Sequence, residues 1–185
     1  TLYNALLSIH AWLNRPLSLV ASSEKAGAQP ENGITLENFP MMPSGEGQIQ
    51  LVDQRFPANA ALRREALLKT IQYFPSDKAI LFKAGMKLAI LDWDDKKSQA
   101  AGDAISKLLT TYRKDISRED AAWGDYLLAR VFTDLKKNGE AEKIFQSLGA
   151  DQTLSPYRRA WANNQRARLL ETKDRAGAIQ AIQQA

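Results

Sequence analysis

The residue types that bind metals or move protons near neutral pH are scarce in this sequence. Its one histidine, His10, has no second imidazole and no thiolate to work with, because the chain contains no cysteine, and a zinc site needs several such ligands. Asp92, Asp94 and Asp95 surround Trp93, but the stretch lacks the glycine and the terminal glutamate of a calcium loop and reads as a turn at a helix end. No glycine-rich phosphate loop, nucleophile elbow or histidine-containing catalytic set occurs, and paired carboxylates are too common among 21 acidic residues to mark an active site. The chemistry to expect is recognition, with no catalytic residues, no metal and no cofactor.

Two constellations suit recognition. Tyr126 and Arg130 lie four residues apart, on one face of any helix that contains them, and combine an aromatic platform with a guanidinium fork that fits a carboxylate. A solvated pair at the same spacing is the plainer alternative. Arg158, Arg159, Arg166 and Arg168 recur around Trp161, a pattern that fits phosphate contacts with base stacking, though such residues more often form an ordinary solvated helix face. The net charge of +4, from 25 basic and 21 acidic residues, is too small to require a nucleic acid or an anionic lipid.

At 185 residues, 44% hydrophobic and 25% charged, the chain has an ordinary globular composition and can bury a core. Its longest apolar stretch, Leu2 to Leu13, is broken by Asn4, Ser8 and His10 and is shorter than the roughly 20 residues of a spanning helix. The spacing of Leu2, Leu6, Ile9 and Leu13 predicts a helix before Pro16, and Leu17 to Ala21 can start a second. From Ser22 to about Gln48 the density of glycine and proline predicts an irregular segment, with Ile34 to Leu36 and Gln48 to Leu51 as alternating stretches for a small hairpin or a long ordered loop. Beyond Pro57, Ala-, Leu-, Lys- and Gln-rich segments predict helices near 59–73, 77–92, 97–113, 119–136, 140–148, 156–171 and 175–184. The expected division is an N-terminal helix with an irregular capping segment over 1–56 and a helical domain over 57–185.

Within the helical domain the sequence repeats. In YLLARVFTDLKKNGEAEKIFQSL, Ala129 precedes Phe132 by three, Phe132 precedes Ala141 by nine, and Ala141 precedes Phe145 by four. WANNQRARLLETKDRAGAIQAI repeats the pattern with Leu169, Ala178 and Ile182, and YFPSDKAILFKAGMKLAIL resembles the junction of two units, with Pro75 ending one helix and Leu81, Gly85 and Leu88 beginning the next face. Pro156 stands in the same relation to Ala162 as Pro75 does to Leu81. These offsets resemble the tetratricopeptide repeat, in which small residues sit where paired helices cross and large ones where the next helix packs. The tryptophan position of that family is held by Leu81, Asp125 and Ala162, and the glycine position by Arg166 in the last unit.

The resemblance implies an all-α array of antiparallel helix pairs, an α-solenoid, over residues 57–185. It implies a groove lined by the first helix of each pair, presenting Phe82, Met86, Tyr126, Arg130 and Asn163 to a protein or peptide partner. Phe82 and Met86 are also read as plain core. Asn163 alone does not make the carboxylate clamp found in some members. The implied function is a non-catalytic scaffold that assembles or regulates a complex, with a lean toward a bacterial envelope or secretion assembly. A polyanion-binding helical surface and a helical accessory domain of a larger enzyme are the alternatives. The start at Thr1 suggests that a signal or anchor precedes the chain, and in-phase Ile179 and Ile182 suggest that more chain, or a second copy, covers the last helix. The segment from Ser22 to Phe56, with Phe39, Met41 and Met42, is expected to cap the array or lie across it as a built-in ligand.

Overall fold

In the computed structural model, which describes residues 36–171 and 175–183, eight α-helices follow one another and no strand occurs among the described residues. They are α1 (Gly45–Arg55), α2 (Ala60–Tyr73), α3 (Lys78–Asp94), α4 (Ser98–Tyr112), α5 (Arg118–Asp134), α6 (Asn138–Ala150), α7 (Pro156–Leu170) and α8 (Arg175–Gln183). The fold is all-α, and helices consecutive in the chain pack against one another: α1 on α2, then α4 through α8 each on the next. Each helix predicted beyond Pro57 is present. The helices predicted at 2–14 and 17–21, and the alternating stretch at Ile34 and Thr35, lie outside the described residues.

The alternation at Gln48 to Leu51 does not make a strand. Ser44 caps a helix there, its Oγ accepting from the Gly47 amide at 3.2 Å, and Gly45, Gln48, Ile49 and Val52 are buried at helical spacing. Glycine normally costs a helix about 1 kcal/mol relative to alanine. At Gly45 the backbone comes so close to α3 that a β-carbon would stand 2.2 Å from Ile80 Cγ1, so the residue that looks like a breaker is what lets the two helices approach. Likewise Pro156 does not stop the preceding helix: α6 has ended at Ala150, and Pro156 opens α7 in its first turn, where a missing amide proton costs nothing.

The described residues fall into two compact units, one ending at Leu91 and the other beginning at Asp92. The first unit has a core of Ile49, Val52 and Phe56 with Ala66, Leu67, Ile80, Ala84 and Leu91, so α1 shares its apolar surface with α2 and α3. Phe39 joins this core, its ring 5.8 Å from that of Phe56. The backbone around it is tied down by side chains. Tyr73 donates to the Phe39 carbonyl at 2.9 Å, Lys69 to the Leu36 carbonyl, and the buried Gln48 amide donates to Pro40 O at 3.1 Å and accepts from Met42 N at 2.7 Å. Asp53 is held by Arg63 at 2.7 Å and Lys87 at 2.8 Å.

In the second unit the buried positions include Ala101 and Ile105 of α4, Ala129 and Val131 of α5, Ala141 and Phe145 of α6, Trp161 and Ala162 of α7, and Ala178 and Ala181 of α8. Ser117 and Ser155 cap α5 and α7, which satisfies amides that the first turn leaves without carbonyl partners. The turns that end α3 and α5 share one geometry. Lys96 and Lys136, 40 positions apart, are the non-glycine residues with positive φ among the described residues, at 65° and 61°. In each turn the left-handed lysine donates three residues back, to Trp93 and to Thr133. The following lysine donates five back, to Asp92 and to Phe132. This is the Schellman closure, built twice on Asp-x-Lys-Lys.

Candidate functional site

The common turn positions the side chains that matter. It ends α3 just after Trp93 and α5 just after Asp134, and the Trp93 indole N–H donates to Asp134 Oδ2 at 2.6 Å. Arg130, one turn before Asp134 on α5, lies with its Cζ 5.5 Å from the Trp93 ring centroid and 5.9 Å from that of Tyr126. Its Nη1 donates to the Tyr126 hydroxyl at 2.8 Å. An arginine held by two rings at this distance gains about 0.5–2 kcal/mol of cation–π attraction. These contacts restrict its rotamers, and the hydrogen bond to Tyr126 uses one of the five N–H donors of the guanidinium.

Tyr126 is the rigid side of this arrangement. It is 7% exposed, meets Trp161 edge-on at 4.0 Å between centroids and lies 6.5 Å from Phe145. Burial pushes its hydroxyl pKa up, and the Arg130 charge and hydrogen bond oppose that. The ring therefore belongs to the aromatic core, and its hydroxyl is the part that faces Arg130.

The structure brings together Tyr126 and Arg130 from the expected set. Phe82 and Met86 are fully buried and present no surface for a partner in this state. In the sequence Met86 stands 40 positions before Tyr126, and Ala89 stands 40 before Ala129. Asn163 is 3% exposed, seated so close to Gly149 that a β-carbon there would stand 2.0 Å from Asn163 Oδ1. Trp93 completes the Arg130 site and was not among the expected residues. The signal that finds it is the recurrence of Asp94-Asp95-Lys96-Lys97 as Asp134-Leu135-Lys136-Lys137, which places the end of α3 in register with the end of α5.

The arginines around Trp161 do not form an open stacking surface. Trp161 is buried, Arg158 pairs with Glu119, and Arg166 pairs with Glu142 at 3.3 Å. No group of three acidic or histidine side chains able to hold a metal occurs among the described residues, and no helix among them is long and apolar enough to cross a membrane. Ile179 and Ile182 on α8 are 50% and 58% exposed.

No family matches. Neither a family model nor a curated protein matches this chain.

Proposed function

We propose that this chain is a non-catalytic interaction scaffold of tetratricopeptide-like helix pairs, which docks a protein or peptide partner through Arg130. The observation that carries the reading is the guanidinium of Arg130, oriented between Trp93 and Tyr126 and supported from behind by the ring contacts of Tyr126 with Trp161. A fixed arginine beside aromatic rings is the composition of an interface hot spot, and its natural acceptor is a carboxylate.

The repeated turn at Lys96 and Lys136 and the buried small residues Ala129, Ala141 and Ala178 support the helix-pair register, in which small side chains let paired helices cross. A solenoid of such pairs, capped by the N-terminal third, is the architecture proposed, and a bacterial envelope or secretion assembly is its proposed setting by resemblance alone. A polyanion-binding surface has less support, because the indole that would stack on bases is buried and two of its four arginines are engaged by carboxylates.

The test is capture of partners from native lysate by the wild type and by the Arg130→Ala and Tyr126→Phe variants, with identification by mass spectrometry. Tyr126→Phe keeps the core ring and removes the hydroxyl that orients Arg130. A protein retained by the wild type, lost by Arg130→Ala and weakened by Tyr126→Phe is the expected result. Equal retention by all three, with unchanged melting, places docking elsewhere.

A further inference from the structure

An open cleft of about 480 Å³ lies among α6, α7 and α8, away from Arg130. Arg159, Asn163 and Arg166 line it from α7, at spacings of four and three that put them on one face of the helix. Gln146 and Gln152 face it from α6 and the loop that follows, and Gln180 from α8. Its wall thus carries two guanidinium groups and four carboxamides, and no carboxylate lines it among the described residues. Gly149 also lines the cleft, and the close seat it gives Asn163 brings that amide against the α6 backbone.

The two arginines differ in a way that defines the ligand. Arg166 has Glu142 as a counter-charge at 3.3 Å. Arg159 donates from Nη1 to the neutral Gln152 side-chain oxygen at 2.6 Å, its Nε is enclosed without an acceptor, and no ion pair reaches it among the described residues. A partly buried guanidinium with no counter-charge and an enclosed orphan donor carries a desolvation cost that one acceptor anion would relieve. One uncompensated positive charge matches a single carboxylate better than a phosphate dianion, and planar carboxylates suit the guanidinium fork. The carboxamides supply neutral donors and acceptors for the rest of the ligand, and the volume is that of a small-molecule site.

We propose that this cleft binds a carboxylate against Arg159, supplied by a free organic acid or by an aspartate or glutamate side chain of a peptide. This site is independent of the docking role of Arg130.

The experiment follows the arginine Nε–H signals of ¹⁵N-labelled full chain by nuclear magnetic resonance at low salt, during titration with glutarate, with a short glutamate-rich peptide and with sulfate. The Arg159 signal, whose enclosed Nε slows exchange, is expected to move saturably with a carboxylate probe while that of exposed Arg113, paired with Asp125 at the surface, stays in place. Saturation by glutarate identifies a free-acid site, and saturation by the peptide alone identifies a side-chain site on a partner. Arg159→Gln is expected to weaken binding by roughly ten- to a hundredfold, and Arg113→Gln, the same change of charge at an exposed surface pair, to leave it unchanged. The wild-type titration stands as a test even if Arg159→Gln fails to fold. Sulfate binding as tightly as the carboxylates, an absence of saturable change at Arg159, or full affinity in a folded Arg159→Gln variant would each overturn the proposal.

Discussion

At the scale of single residues, several charged side chains pair across neighbouring segments, and one of them gives a measurable signature. Asp151, in the turn after α6, accepts from the Thr153 hydroxyl at 2.6 Å and from its backbone N–H at 2.9 Å, and from the Arg118 guanidinium at the start of α5. These partners, the Thr153 hydroxyl foremost, hold its pKa down from 3.8 to about 2. Because the folded value is the lower, the ionised carboxylate adds stability that is fully present above the unfolded value and is lost as pH falls through the folded one. Asp151→Asn should therefore lower the melting temperature at neutral pH, and its difference from the wild type should close between about pH 4 and pH 2. Parallel melting curves for the two proteins across that range would show that the contacts of Asp151 do not bear on folding. Because its arginine partner is itself exposed, the expected effect is small.

At the scale of elements, glycines separate those that close packing demands from those that are incidental. Gly139 sits in the first turn of α6 with nothing within 4 Å of where a β-carbon would go. Gly139→Ala should stabilise by about 0.4–1 kcal/mol, since alanine restricts the unfolded chain and suits a helix better. Gly45→Ala should do the opposite, by about 1–3 kcal/mol, because its β-carbon would collide with Ile80 and force α1 away from α3. Chemical denaturation of the two variants beside the wild type measures both signs at once. This pair also shows what the sequence made legible. The helices beyond Pro57 are visible in composition and period because they are long and rich in helix formers. α1 is not, because Gly45 and Gly47 look like breakers until Ile80, far along the chain, supplies the reason for one of them. The end of α3 was legible in type, as a turn around Asp92 to Asp95, but its equivalence to the end of α5 needed the left-handed lysines to be seen in both.

At the scale of the whole molecule, the question is which class of partner the charge distribution permits. The net charge is +4, and Arg63, Lys83, Lys87, Arg113, Arg118, Arg158 and Arg166 each face a carboxylate, so a polyanion would have to compete with those carboxylates for its contacts. The candidate site was half legible for the same physical reason. Tyr126 and Arg130 are local neighbours at helical spacing, which a sequence displays, whereas Trp93 reaches them through a turn whose geometry a sequence displays only once it is known to recur. If docking runs through one oriented arginine and its rings, affinity for the captured partner depends on one or two ion pairs and should fall by roughly tenfold or less between 50 and 200 mM salt. A polyanion neutralised by six to ten cations would lose roughly a thousandfold or more over the same interval. Measuring the dissociation constant of the captured partner at several salt concentrations, for the wild type and for Arg130→Ala, decides between them. A shallow dependence that flattens further in the variant is the mark of a single charge-assisted anchor. A steep slope that the variant leaves intact would mean that the binding surface is the helical array's distributed positive charge, with Arg130 only a part of its packing.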